Sequence, residues 1–187
     1  MHLRKVIIGV VSIGMPLAVM STVIGVGAAW ATTGTGTYSC SKVTGSITFK
    51  PALTNAGGKA ETTTVATTAS TCSGTANPKV TKVTGKATIK TSTNACSNLK
   101  NPQTVTMTMT NTPAVSPKSV LHATSGEIVT ATKITFTLTG TVSGSYVSSS
   151  ASGSGVLTQT PTAVAKSCAS KTGLAKVTIK SGNLTTF

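Results

Sequence analysis

Ile134-Thr135-Phe136-Thr137-Leu138-Thr139-Gly140-Thr141-Val142 alternates without a break. Ile134, Phe136, Leu138 and Val142 fall on one side and four threonines on the other. Successive side chains of a strand point to opposite faces, so this pattern predicts a half-buried β-strand with a wet threonine face. Threonine is β-branched and suits a pleated surface, so the chain's threonine excess supports the reading.

The same rhythm recurs outward from this stretch. Thr104-Val105-Thr106-Met107-Thr108-Met109-Thr110 is a second strand pattern. Lys42 to Lys50 places Val43, Ile47 and Phe49 inward, and Lys82 to Lys90 does the same with Val83, Ala87 and Ile89. Val177 and Ile179 carry a further strand, and Glu61 to Thr71, Ile128 to Thr132 and Tyr146 to Gln159 are weaker ones. Turn signals separate them at Asn55-Ala56-Gly57-Gly58, Asn77-Pro78, Asn101-Pro102 and Asn111-Thr112-Pro113. Ala123-Thr124-Ser125-Gly126 also reads as a turn, and Gly153-Ser154-Gly155 as a flexible turn or bulge. One helix is expected at Thr162–Lys171, with Thr160 as its cap, Pro161 in its first turn and Gly173 past its end. Lys42-Val43-Thr44-Gly45 returns as Lys82-Val83-Thr84-Gly85, too short a repeat to define a solenoid. Many short strands without a βαβ rhythm predict an all-β, single-domain antiparallel β-sandwich, or a partly open barrel, with that one short helix.

The N-terminus has a different character. Arg4 and Lys5 precede an uncharged run from Val6 to Ala29, and Ala29-Trp30-Ala31 ends it with small residues. A basic start, an apolar run and an A-x-A end define a secretory signal. Residues 1–31 are therefore expected to be a signal peptide and residues 32–187 the secreted or surface-held domain. The run is long enough to span a bilayer, so an uncleaved anchor is the alternative, and the only membrane contact expected.

Cys40, Cys72, Cys96 and Cys168 all lie in the exported part. An even count in a secreted chain predicts two disulfides. Cys40 and Cys72 are symmetric about residue 56, inside a Gly-rich turn, which favours Cys40–Cys72 and leaves Cys96–Cys168. The two other pairings stay open.

The order Tyr38-Ser39-Cys40-Ser41-Lys42-Val43-Thr44-Gly45, then Glu61-Thr62-Thr63-Thr64-Val65, Cys72, Ala95-Cys96-Ser97-Asn98-Leu99 and Cys168 before Gly173-Leu174 resembles a group of small secreted four-cysteine β proteins of unknown function from actinobacteria. The resemblance implies a disulfide-braced β domain behind a signal peptide. It implies no activity and no catalytic residues.

Chemistry-bearing residues are few. Beyond residue 31 the only acids are Glu61 and Glu127 and the only histidine is His122. A secreted hydrolase using His122, Glu127 and a serine is the enzymatic alternative, but no G-x-S-x-G elbow supports it and no catalytic residue is assigned. No C-x-x-C spacing or carboxylate cluster offers a metal site, no phosphate-cradling loop is present, and no cofactor is expected.

The charge is lopsided. The whole chain carries +14, and residues 32–187 hold 14 lysines, no arginine and no aspartate. Lys42, Lys50, Lys82, Lys86, Lys90, Lys176 and Lys180 fall on the threonine side of their strands. If those strands share a sheet they build one basic, hydroxyl-rich face. Such a face attracts anionic cell-wall polymer or another polyanion. Without an arginine fork or a stacking platform, no specific nucleic-acid recognition is expected. Rows of threonine at 104–110 and 135–141 also suggest an ice-binding-like face, although sheet twist works against it. The expected role is a non-catalytic interaction or structural module at the cell envelope.

Overall fold

A computed structural model describes residues 32–187, and the expected signal segment 1–31 lies outside them. Eight strands follow one another: β1 (Tyr38–Leu53), β2 (Glu61–Gly74), β3 (Lys82–Thr91), β4 (Thr104–Thr112), β5 (Ser119–Val129), β6 (Ile134–Ser143), β7 (Ser148–Leu157) and β8 (Leu174–Thr186). Each pairs antiparallel with the next, and β8 returns to pair with β1. The result is a closed up-and-down barrel.

The sandwich expectation is thereby corrected. Alternation says only that each strand has one buried face, which is equally true of two stacked sheets and of one sheet closed on itself. The difference lies in β1, which has β2 on one side and β8 on the other. Closure leaves no edge strand to protect.

The strong strand readings appear with their expected inward residues: Val43, Ile47, Phe49, Val83, Ala87, Met107, Ile134 and Val142 are all buried. Two local readings are corrected. Ala123–Gly126 lies inside β5, where Leu121 and Ala123 turn inward and ladders run to β4 and β6 on both sides. The Ser and Gly there suggest a turn, but pairing on two sides overrides local preference. Gly153-Ser154-Gly155 is regular β7, with both glycines facing the barrel interior opposite Leu138 and Phe136.

Between β7 and β8 lies α1 (Pro161–Ala169). Thr160 caps it, its hydroxyl accepting from the Ala163 N–H at 3.2 Å, and Gly173 follows with φ of +70°. That conformation favours glycine. A 3-10 turn, Cys96–Leu99, sits at the same end of the barrel.

Both disulfides pair as favoured. Cys40 and Cys72 face each other in the β1–β2 register, and that register centres on residue 56. Cys96–Cys168 joins the 3-10 turn to α1.

Two apolar clusters fill the barrel. One, around Tyr38, Met109, Leu121 and Tyr146, seals the end where β1 begins. The other, around Phe49, Leu53, Val164, Cys168 and Val177, packs α1 against the opposite end.

Candidate functional site

The outer wall divides by charge. Lys42 and Lys50 on β1, Lys82, Lys86 and Lys90 on β3, and Lys176 and Lys180 on β8 are all exposed. These strands belong to one uninterrupted arc, β8–β1–β2–β3. Lys42 aligns with Ser70 and Lys82 in one cross-strand row, and Lys50 with Thr62 and Lys90 in another. Lysines in such a row stand about 10 Å apart, and Lys82, Lys86 and Lys90 repeat at about 13 Å along β3. The outward residues of β2 are Thr62, Thr64, Ala66, Thr68 and Ser70, so hydroxyls fill the space between the charged strands.

No lysine occurs within β4, β5, β6 or β7. Their outer face is mostly threonine and serine, with His122, Val120 and the exposed Ile128 on β5. At the seam between the halves, a surface depression is lined by Thr84, Lys86, Thr108, Thr110 and Lys118. Two ammonium groups and three hydroxyls there present only hydrogen-bond donors or hydroxyls to an anion.

The other predicted groups are not brought together. His122 is exposed on the outer face, with Nε2 at 3.0 Å from Ser143 Oγ. Glu127 lies five positions on, opposite the inward-facing Phe136, and so on the other face of β5. That puts it about 17 Å along the strand. Burial pushes the Glu127 carboxyl above its ordinary value, an effect that nearby Lys100 opposes. The two threonine rows are not adjacent, because β5 runs between β4 and β6. A curved barrel wall also denies them the flat array that an ice-binding face needs.

Sequence reasoning missed the barrel's interior. A cavity of about 140 Å³ lies among inward residues including Phe49, Val65, Ile89, Met107, Phe136 and Leu138. Among the described residues its one ionisable lining residue is Glu61. Only 3 % of Glu61 is exposed. Thr63 Oγ1 donates toward both carboxylate oxygens at 2.8 and 3.0 Å, and Thr91 Oγ1 lies 3.1 Å from Oε2. A signal for this was available: Glu61 shares parity with Val65 and Ala69, so a strand over 61–71 puts its carboxylate inside.

No protein-family model, no curated protein and no solved structure matches the chain.

Proposed function

We propose that the protein is a non-catalytic module of the cell exterior that docks onto anionic envelope polymer through the lysine arc β8–β1–β2–β3. The observation that carries this reading is the one-sided charge: seven exposed lysines on one half of the wall and none within the strands of the other. A charge scattered for solubility has no reason to leave four consecutive strands empty. Polyanion affinity grows with the number of cations engaged together, so concentrating them matters. Lysine rather than arginine suits recognition of charge density over fixed geometry. Two disulfides are consistent with an extracytoplasmic location, and among the described residues no helix is long and apolar enough to cross a membrane.

The test is co-sedimentation of residues 32–187 with isolated cell walls, from roughly 0.05 to 0.5 M salt, beside walls stripped of anionic polymer. A Lys82→Gln/Lys86→Gln/Lys90→Gln variant removes charge from the arc. Lys100→Gln/Lys133→Gln/Lys166→Gln removes equal charge elsewhere. Binding lost with salt, with stripping and with the first triple variant alone is the expected result. Equal loss from both variants reduces the arc to net charge, and no binding at low salt overturns the reading.

A further inference from the structure

The barrel's interior has the opposite electrostatic character to its outside. All 14 lysines of residues 32–187 are exposed, and none lines the cavity. Among the described residues the one charge-bearing group lining the cavity is the Glu61 carboxylate; Glu127, also on the inner face of its strand, does not line it. Burying an unpaired carboxylate is costly unless a cation or several donors meet it.

The donors present do not suffice. A carboxylate offers about four lone-pair positions. Thr63 has one hydroxyl proton to divide between Oε1 and Oε2. Thr91 has one as well, and the carbonyl oxygen of Thr93, at 2.8 Å, competes for it against Oε2 at 3.1 Å. Among the described residues, at most two neutral protons therefore reach this nearly buried group.

The lining also includes amides such as Asn98, Gln103 and Asn183, and its apolar part sets the other half of the specificity. Phe49, Val65, Ile89, Phe136 and Leu138 are apolar. Small inward residues beside them, Gly153 on β7 and Ala69 on β2, leave room, whereas the space at Gly155 is taken by Ile179 Cγ2, 2.9 Å from where a Cβ would stand. Eight strands enclose an interior that is either filled by side chains or able to hold one small ligand. Here the side chains leave a cavity of about 140 Å³. An apolar cavity of this size holds about one benzene-sized molecule.

We infer that the barrel is a binding site for a small primary amine carrying one apolar ring or short alkyl chain. The ammonium would donate to Glu61, and the apolar part would lie between Phe49 and Phe136. A protonated amine brings three N–H donors and a positive charge, which are what the carboxylate lacks. A carboxylic acid of the same shape would place like charge beside Glu61, so fatty acids and aromatic acids are rejected. This site is independent of the lysine arc: outward lysines gather anions, and the inward glutamate selects cations.

The test uses four probes of one shape on residues 32–187 at fixed salt: benzylamine, benzyl alcohol, toluene and benzoate. Calorimetry gives the affinities. The ¹³C methyl signal of Met107, which lines the cavity, reports occupancy there, and Met109 in the sealed end is the internal control. A charged hydrogen bond in a dry site corresponds to about tenfold or more in affinity. Benzylamine is therefore expected to bind at least about tenfold tighter than benzyl alcohol or toluene, with benzoate weakest and the Met107 methyl shifting alone. Glu61→Gln is expected to bring benzylamine down to the level of benzyl alcohol. Benzylamine no tighter than toluene, an unmoved Met107 methyl, or no binding by any probe overturns the inference. The probe series on the unaltered protein decides even if Glu61→Gln fails to fold.

Discussion

Tyr38 and Tyr146 meet edge to face, with ring centroids 5.5 Å apart and planes at 87°. The pair seals the barrel end remote from α1, and 1 % and 0 % of the two residues is exposed. Tyr146 holds its place through its hydroxyl, which donates to the Pro78 carbonyl at 2.8 Å, while Tyr38 has only the Met109 sulfur at 3.9 Å. Edge-to-face geometry sets the positive rim of one ring against the negative face of the other.

A pH dependence follows. Burial, with Tyr146 adding to it, holds the Tyr38 phenol above the ordinary tyrosine range. The folded chain thus keeps a proton that the unfolded chain loses near pH 10. Stability is full below that pH and falls as pH rises beyond it, by about 1.4 kcal/mol per pH unit for this one group. Tyr38→Phe is expected to cost about 1 kcal/mol or less at pH 7, since a thioether is a weak acceptor. Above pH 10 the variant's stability should fall less steeply than that of the parent. Urea unfolding of both proteins from pH 7 to pH 11.5 checks it, and parallel curves would sink the idea.

The two disulfides should differ in what they protect. Chain-entropy reasoning assigns each about 4 kcal/mol, slightly more to Cys96–Cys168, whose sequence separation is 72 against 32. Cys40 and Cys72 sit within a paired ladder that persists without the bridge. Cys96–Cys168 instead fastens the 3-10 turn to α1, a helix of nine residues. Helices that short are marginal on their own. Cys96→Ser/Cys168→Ser should therefore speed amide hydrogen exchange in α1 far more than in β1–β8. Cys40→Ser/Cys72→Ser should lower global stability without singling out α1. Equal exchange profiles for the two variants would contradict this.

A third expectation concerns a buried polar chain near the sealed end. Asn111 Nδ2 donates to Ser119 Oγ at 3.0 Å, and Ser119 Oγ donates to the Ser145 carbonyl at 2.7 Å. Ser119 is fully buried, and among the described residues Asn111 Oδ1 has no partner. Ser119→Ala strands a donor and an acceptor and should cost about 1–3 kcal/mol. Adding Asn111→Leu removes the stranded amide, so the double variant should cost less than the two single changes summed. Additive losses in urea unfolding would show that the three groups do not act as one chain.

The individual strands were legible in the sequence because half-burial leaves a period of two. Phe49 and Phe136 face inward as their alternation requires, and residue 56 centres the Cys40–Cys72 hairpin. Closure was not legible. It depends on β1 meeting β8, for example Gly45 opposite Ile179, and nothing local in either segment encodes that partner. The lysine arc was half legible: parity put the seven side chains outside, but only the strand order shows that their strands are neighbours. Glu61 was hidden by its chemistry, since an acid is expected in water and its buried parity was outweighed.

Gly140 and Gly153 offer the sharpest contrast between a glycine the fold requires and one it tolerates. Both face the barrel interior, Gly140 beside Ala123 and Ala151, and Gly153 beside Leu138 and Leu184. A Cβ on Gly140 would fall 1.9 Å from the His122 carbonyl oxygen and 2.6 Å from the Ala123 Cα, both backbone atoms that only a shift of β5 can move. Forcing that shift should cost more than about 2 kcal/mol. On Gly153 the nearest atoms are the Asn183 oxygen at 3.4 Å and the Leu184 Cδ1 at 3.6 Å, close to ordinary contact. There the methyl enters the cavity wall, and relief of glycine's chain entropy favours it by about 0.5–1 kcal/mol. Gly153→Ala is thus expected to match or exceed the parent in urea unfolding, while Gly140→Ala falls well below it or does not fold. Equal losses at the two sites would mean that the β7 wall is packed as tightly as the β5–β6 contact, leaving no room beside Leu138 for a ligand.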